Sequence, residues 1–205
     1  RGRGLRRDHE GRAYRHGAAG YLTKEIDMLT IQPVALTNDA VDAAKTYLRL
    51  ESDEEDASIA AFVAAALVHA EGYLGQLLIE RDVVERLPVS SGWKRLGATP
   101  VRSVTGVTGI PAEGASFLLA PDSYKLDINR QHDGWIRFTA PGSAGRADIA
   151  YRAGLMPGWP DLPEAISLAV LRITAHLHAH RDAADDAGPP PAVASLLRPW
   201  RRMRL

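Results

Sequence analysis

The 205-residue chain has no cysteine, which excludes disulfides, thiolate metal sites and thiol nucleophiles. Aromatic residues make up only 6% and methionines number three, so aliphatic side chains must build most of any core. Net charge is lacking too: 25 Lys and Arg offset 25 Asp and Glu, so no global field favours wrapping nucleic acid. The balance is uneven along the chain. Residues 1–27 hold seven Lys/Arg against four Asp/Glu, and residues 28–205 hold 18 against 21, so a basic start precedes a mildly acidic body. No apolar run approaches the ~20 residues of a bilayer span, and the Arg-rich start has no apolar stretch of the signal-peptide kind. Residues 1–27 mix Gly, Arg and His without periodicity and read as a basic arm, with Met28 opening the patterned region.

Within that region, Thr37 or Asn38 can cap a helix with Val41, Ala44, Lys45 and Leu48 on one face. Ser52 and Glu55 have the spacing of a capping box, and Asp53, Glu54 and Asp56 place negative charge at the positive end of the next helix. There Ile59, Phe62, Val63, Ala66, Leu67, Ala70, Tyr73, Leu74, Leu77 and Leu78 recur at steps of three and four. Gly72 and Gly75 either allow close backbone packing or mark a break in this helix. From Arg81 to Ala153 the period shifts towards two. Val83-Val84, Val101 to Val107, Phe117 to Leu119, Tyr124 to Ile128, Trp135 to Phe138 and Asp148 to Tyr151 are the strand candidates, punctuated by Gly and Pro. A last long helix carries Ile166, Val170, Ile173 and Leu177 on a face able to pack against the earlier one, and it should end before Gly188. The fold class is therefore α+β: a helical bundle core (28–187) with a small antiparallel β-sheet inserted at about 81–153, and an extended C-terminal tail (188–205).

Chemistry-bearing motifs are few. His176 and His180 stand four apart on a helix, a spacing able to grip one metal, and Asp182, Asp185 and Asp186 could add oxygens. No HExxH motif accompanies them, so a solvated face or a subunit contact competes with a metal-dependent enzyme. His69 reads as a core-edge or interface residue. The acidic run Glu51 to Asp56 lacks the glycine and alternating oxygens of a calcium loop, and neither Ser90-Ser91-Gly92 nor Gly106 to Gly109 has the lysine of a phosphate cradle. No catalytic constellation stands out, so residue chemistry describes a non-enzyme without a cofactor.

The C-terminus carries the strongest interaction signal. Pro189 to Pro191 fix an extended approach, Pro191 can open a helical turn, and Pro199 ends it. Arg198, Trp200, Arg201, Arg202, Met203, Arg204 and Leu205 then combine apolar area with bidentate donors, a composition suited to a peg that stands off its own core and docks on another protein. The competing readings are a disordered Arg-rich end, and a DNA-packaging protein that grips nucleic acid through both Arg-rich termini.

The order of elements resembles the head-tail connector (adaptor) proteins of long-tailed bacteriophages and of the related gene transfer agents. Ala44 to Leu50 is similar to the family's "K-x-x-L-R" helix, and Asp53 to Ile59 to its "D-x-x-D-x-x-I" restart. Ala70-Glu71-Gly72-Tyr73-Leu74-Gly75 resembles "A-E-x-Y-x-G", Leu96 to Val101, with Pro100 before the strand, "L-x-x-x-P-V-x-S-V", and Tyr151 to Gly154 "Y-x-A-G". Pro163 to Ile166 with His180-Arg181 resembles "P-x-x-I" to "x-R", and Pro191 to Arg201 "P-x-x-V-x-x-L-L-x-P-x-R". Residues 1–27 have no counterpart. The resemblance implies a structural subunit of a homo-oligomeric ring, of twelve copies, in the neck of a phage-like particle assembled in the bacterial host cytoplasm. It further implies a portal protein as partner on one side, docked through the C-terminal residues, and a stopper or tail-completion protein on the other. It also implies that DNA passes through the lumen without specific binding, which a net negative body suits, and that no membrane is involved.

Overall fold

A computed structural model describes residues 29–180 and 191–202. The basic arm, Asp182, Asp185, Asp186 and the terminal Met203, Arg204 and Leu205 lie outside the described residues. The architecture is α+β. Strand β1 (Leu29–Ile31) is followed by α1 (Asn38–Leu48) and α2 (Asp56–Leu74). Seven strands come next: β2 (Arg81–Pro88), β3 (Lys94–Arg95), β4 (Val101–Pro111), β5 (Phe117–Leu118), β6 (Tyr124–Ile128), β7 (Gly134–Phe138) and β8 (Ala144–Ala153). Helices α3 (Glu164–Ala179) and α4 (Pro191–Leu197) and a 3-10 turn (Arg198–Trp200) complete the described chain.

The helices bury one core. Ile59, Val63, Leu67, Ala70 and Leu74 of α2 meet Ile166, Val170 and Ile173 of α3, with Ala40 and Ala44 of α1 closing one side. By length and composition alone α2 could cross a membrane, contrary to the expectation that no run is long and apolar enough. Its apolar character instead reflects its place between α1 and α3, since a helix with neighbours on several sides needs a broad apolar surface. Two expected core residues differ. Phe62 and Leu177 are only half-buried, because they sit towards the open end of the helix pair, where Phe62 meets the His178 ring edge-on at 5.9 Å. The expected capping box also fails: Ser52 Oγ accepts from Glu54 N (3.2 Å), forming a turn, and the helix starts later with Glu55 at its N-cap.

The strands make two antiparallel sheets, one of five strands in the order β1-β2-β8-β4-β5 and one of three in the order β3-β7-β6. β2 alternates strictly, burying Val83, Glu85 and Leu87 opposite Tyr151, Ile149 and Ala147 of β8. Register shifts along β4 mark irregularities that bend this long strand. β1 lies outside the span 81–153 and joins the large sheet by pairing with β2, which the sequence pattern did not reveal. Val101, Val107, Ile136, Phe138, Ile149 and Tyr151 form the second core, between the sheets.

The junction of the two cores is made by backbone. Leu77 N donates to Thr99 O (2.9 Å), Leu155 N to Leu77 O (2.9 Å) and Met156 N to Leu78 O (3.0 Å). Here glycine is required twice. Gly75 ends α2 at φ +69°, the left-handed cap a side chain disfavours, so Leu77 and Leu78, expected on this helix, lie past its end. A Cβ on Gly154 would lie 2.3 Å from the Glu80 nitrogen, so only glycine lets these two backbones meet.

Candidate functional site

The C-terminal segment, expected to stand off the core, is instead built into the body. Val193 and Leu197 are fully buried among the helices, with Leu196 and Trp200 packed against the same core. The physical reason is the helix opened by Pro191, which sets Val193 and Leu197 one turn apart on a single face. Tyr73 Oη donates to Ala194 O (3.5 Å), and Gln76 Nε2 to Trp200 O (2.8 Å). Past the turn, Arg202 N donates to Leu74 O (2.9 Å).

Arg202 then crosses to the sheets. Its Nη1 donates to Thr99 Oγ1 (2.9 Å) and Asp133 Oδ1 (2.9 Å), and its Nη2 to Gln131 O. Asp133 also receives Arg95 Nη2 (2.8 Å) and Thr99 Oγ1 (3.1 Å). Burial opposes its charge, but hydrogen bonds from Arg95, Asn129 and Thr99 outweigh that and hold the carboxyl below the ordinary aspartate range. Of the seven residues assigned to docking, then, Arg202 is engaged within the chain and Trp200 is half-buried. Arg198 and Arg201 are exposed, the latter with its guanidinium 5.2 Å from the Tyr73 ring centroid. Beside them opens a cleft of about 760 Å³, lined among others by Leu29, Val68, Tyr73, Gln76, Arg201 and Arg202.

His176 and His180 lie side by side, and the Asp182, Asp185 and Asp186 expected near them lie outside the described residues. His180 Nδ1 lies 2.9 Å from the carbonyl of His176, the two rings 4.3 Å apart, while His178 contacts Glu55 at 3.5 Å. Among the described residues no group of three or more His, Asp or Glu is placed to hold a metal ion. His69 is exposed.

Three polar clusters escaped the sequence reading, two of them buried and that of Asp133 half-buried. Glu71 accepts from Leu78 N (2.9 Å) and pairs with Arg81; burial pushes its carboxyl above the usual range despite those partners. Glu85 and Tyr151 are linked inside the sheet core. Asp133 was visible only as part of an Asp-Gly turn. Glu71 had a signal, since it and Gly75 fall within the "A-E-x-Y-x-G" fragment, which marks the junction of the two cores.

No family profile matches the sequence, and no curated protein matches it. Solved structures do. The chain is similar to a chain from the neck of an empty GTA particle computed with C6 symmetry, at 25% identity and a TM-score of 0.70, covering 87% of this chain and 97% of that one. It is similar also to a chain from the virion of a native gene transfer agent (GTA) particle, at 26% identity and a TM-score of 0.65 with the same coverage. A chain from the neck of a native GTA particle computed with C12 symmetry shares the fold at 24% identity, with a TM-score of 0.63 over 86% of this chain and 97% of that one. The α+β architecture is thus one that this chain shares, over nearly its whole described length, with chains of gene transfer agent particles.

Proposed function

We propose that the chain is a structural subunit of the neck of a phage-like particle, a head-tail adaptor acting as a homo-oligomeric ring and not as an enzyme. The observation that supports this best is the likeness to a neck chain over 87% of this chain and 97% of that one at 25% identity. In the finer form of the reading, twelve subunits sit between the portal and the stopper or tail-completion protein and continue the DNA channel, in a particle assembled in the host cytoplasm. The portal docks on the C-terminal segment. Arg198 and Arg201 offer exposed guanidinium groups there, Trp200 adds apolar area, and Met203, Arg204 and Leu205 follow directly in sequence. Arg202 roots the segment on Thr99 and Asp133, so little ordering entropy is left to be lost on docking.

The test is to add purified protein to portal-bearing capsids and image the vertex. A ring of added density is the expected result, and a bare portal overturns the adaptor reading. A chain carrying Arg198→Glu and Arg201→Glu and lacking Met203 to Leu205 should melt as the native chain does yet lose attachment by at least about tenfold. Normal attachment of that variant would move the docking surface elsewhere on the body.

A further inference from the structure

The outer face of the three-stranded sheet is basic and aromatic, and of its cations only Arg95 has a carboxylate partner among the described residues. On this face β6 and β7 place Lys125 directly opposite Arg137, a like-charge pair that weakens a sheet unless something anionic covers it. Arg137 lies with its guanidinium 4.9 Å from the ring centroid of Trp93, which is 43% exposed. The buried Nε of Arg137 has no hydrogen-bond partner among the described residues. One step along, Trp135 stands opposite Asp127 and Arg95. Residues 93–95 and 124–138 together carry five Lys/Arg against two Asp.

The opposite charge lies at the far end of the molecule. Residues 38–56 carry seven Asp/Glu against two Lys/Arg, and Glu51 and Glu54 in the turn before α2 are exposed. Lys45 is already committed to Asp53 (2.5 Å) and Asp56 (2.8 Å), which leaves this pole strongly negative. α2 separates the two patches: its N-terminal end carries the acidic turn, and its C-terminal end abuts Thr99 and Arg202 at the sheets. Nineteen helical residues span about 28 Å, several times the ~8 Å screening length at physiological salt, so the patches cannot satisfy one another within one copy.

We infer that the basic, Trp-bearing face of β3, β6 and β7 receives the acidic α1–α2 turn of a second copy of this chain. Two different complementary patches on one chain make a heterologous contact, which repeats from copy to copy and closes into a ring when the rotation allows. This rests on the ring reading above and names the surfaces that would join its neighbours. Glu51 and Glu54 of one copy supply the anions that Lys125 and Arg137 lack, and Trp93 supplies the apolar anchor beside them.

Sedimentation velocity at low and high ionic strength tests this, with two charge-reversed chains. One carries Lys125→Glu and Arg137→Glu, the other Glu51→Lys and Glu54→Lys; Arg137 is half-buried and the other three positions are exposed, and melting curves check that both fold. The native chain should self-associate, more weakly as salt rises. Each reversed chain alone should associate at least about tenfold more weakly. Mixing the two, or combining all four changes in one chain, should restore association, because every contact is again between opposite charges. A native chain that stays monomeric throughout, or reversed chains that associate as the native one does, overturns the inference. So does salt-dependent duplex DNA binding that is lost with Lys125→Glu and Arg137→Glu while self-association is unchanged, since the face would then serve nucleic acid. Any of these failures leaves the capsid-attachment experiment to decide the adaptor reading separately.

Discussion

Glu85 shows how one residue can contradict its strand pattern and still belong there. Strand period places it inward between Val83 and Leu87, and it is buried. Its Oε2 accepts from Gly97 N (2.8 Å) and from Tyr151 Oη (2.8 Å), and Ala98 N donates to that same phenol oxygen (3.0 Å). Burial nevertheless pushes the carboxyl above its ordinary value of 4.5, and burial together with the nearby carboxylate pushes the Tyr151 phenol up. A carboxyl raised on folding stabilises the fold below its unfolded pKa, and that contribution is lost as pH rises through the folded value. Melting temperatures followed from about pH 4.5 upwards should therefore fall more for the native chain than for Glu85→Gln, which keeps an acceptor but does not ionise. Parallel curves for the two proteins would show that Glu85 stays fully solvated in the folded state.

Among the elements, α2 holds the most of the fold. It packs on α1 and α3, ends at Gly75 against the sheets, and carries Glu71 to the junction. Its positions differ in depth: Leu67 is fully buried, whereas Phe62 rests at the open end against His178. Leu67→Ala should cost about 2–5 kcal/mol by urea denaturation, and Phe62→Ala less despite the larger side chain, because water and His178 can close over part of the gap. A greater loss at Phe62 than at Leu67 would mean that this end is closed in solution. The short helix α4 makes the same point from the other side. Its seven residues could not persist alone, and burial of Val193 and Leu197 is what fixes it.

At the scale of the whole molecule, the two cores are tied by the backbone bonds of Leu77 with Thr99 and Leu155 and of Leu78 with Met156 and, independently, by the C-terminal segment. That segment buries Leu197 in the helical core and sends Arg202 to Asp133 beside the sheets. The native chain should accordingly unfold in one transition, with calorimetric and van't Hoff enthalpies in agreement. Arg202→Ala should lower stability by about 1–3 kcal/mol by leaving Asp133 and Thr99 short of a partner, while keeping the transition single. Two resolved transitions in the native chain would show that the cores fold independently.

Sequence alone determined the α+β class, the helix-strands-helix order and most buried positions of α2 and α3, because hydrophobic period and turn residues are local properties. Every strand candidate between Val83 and Tyr151 falls within an observed strand or, at Leu119, directly beside one. The short strands β1 and β3 escaped because two or three residues carry no period, and their pairing is set by β2 and β7. The C-terminal residues were recognisable as interaction-competent, but whether they face outward was not. Arg202 binds Asp133 and Thr99 across 69 and 103 residues of sequence, and Val193 finds its core only once α2 and α3 have formed one. The charge pattern divides the same way: the sequence contains the acidic turn and the basic strands, but only the length and direction of α2 hold the two apart.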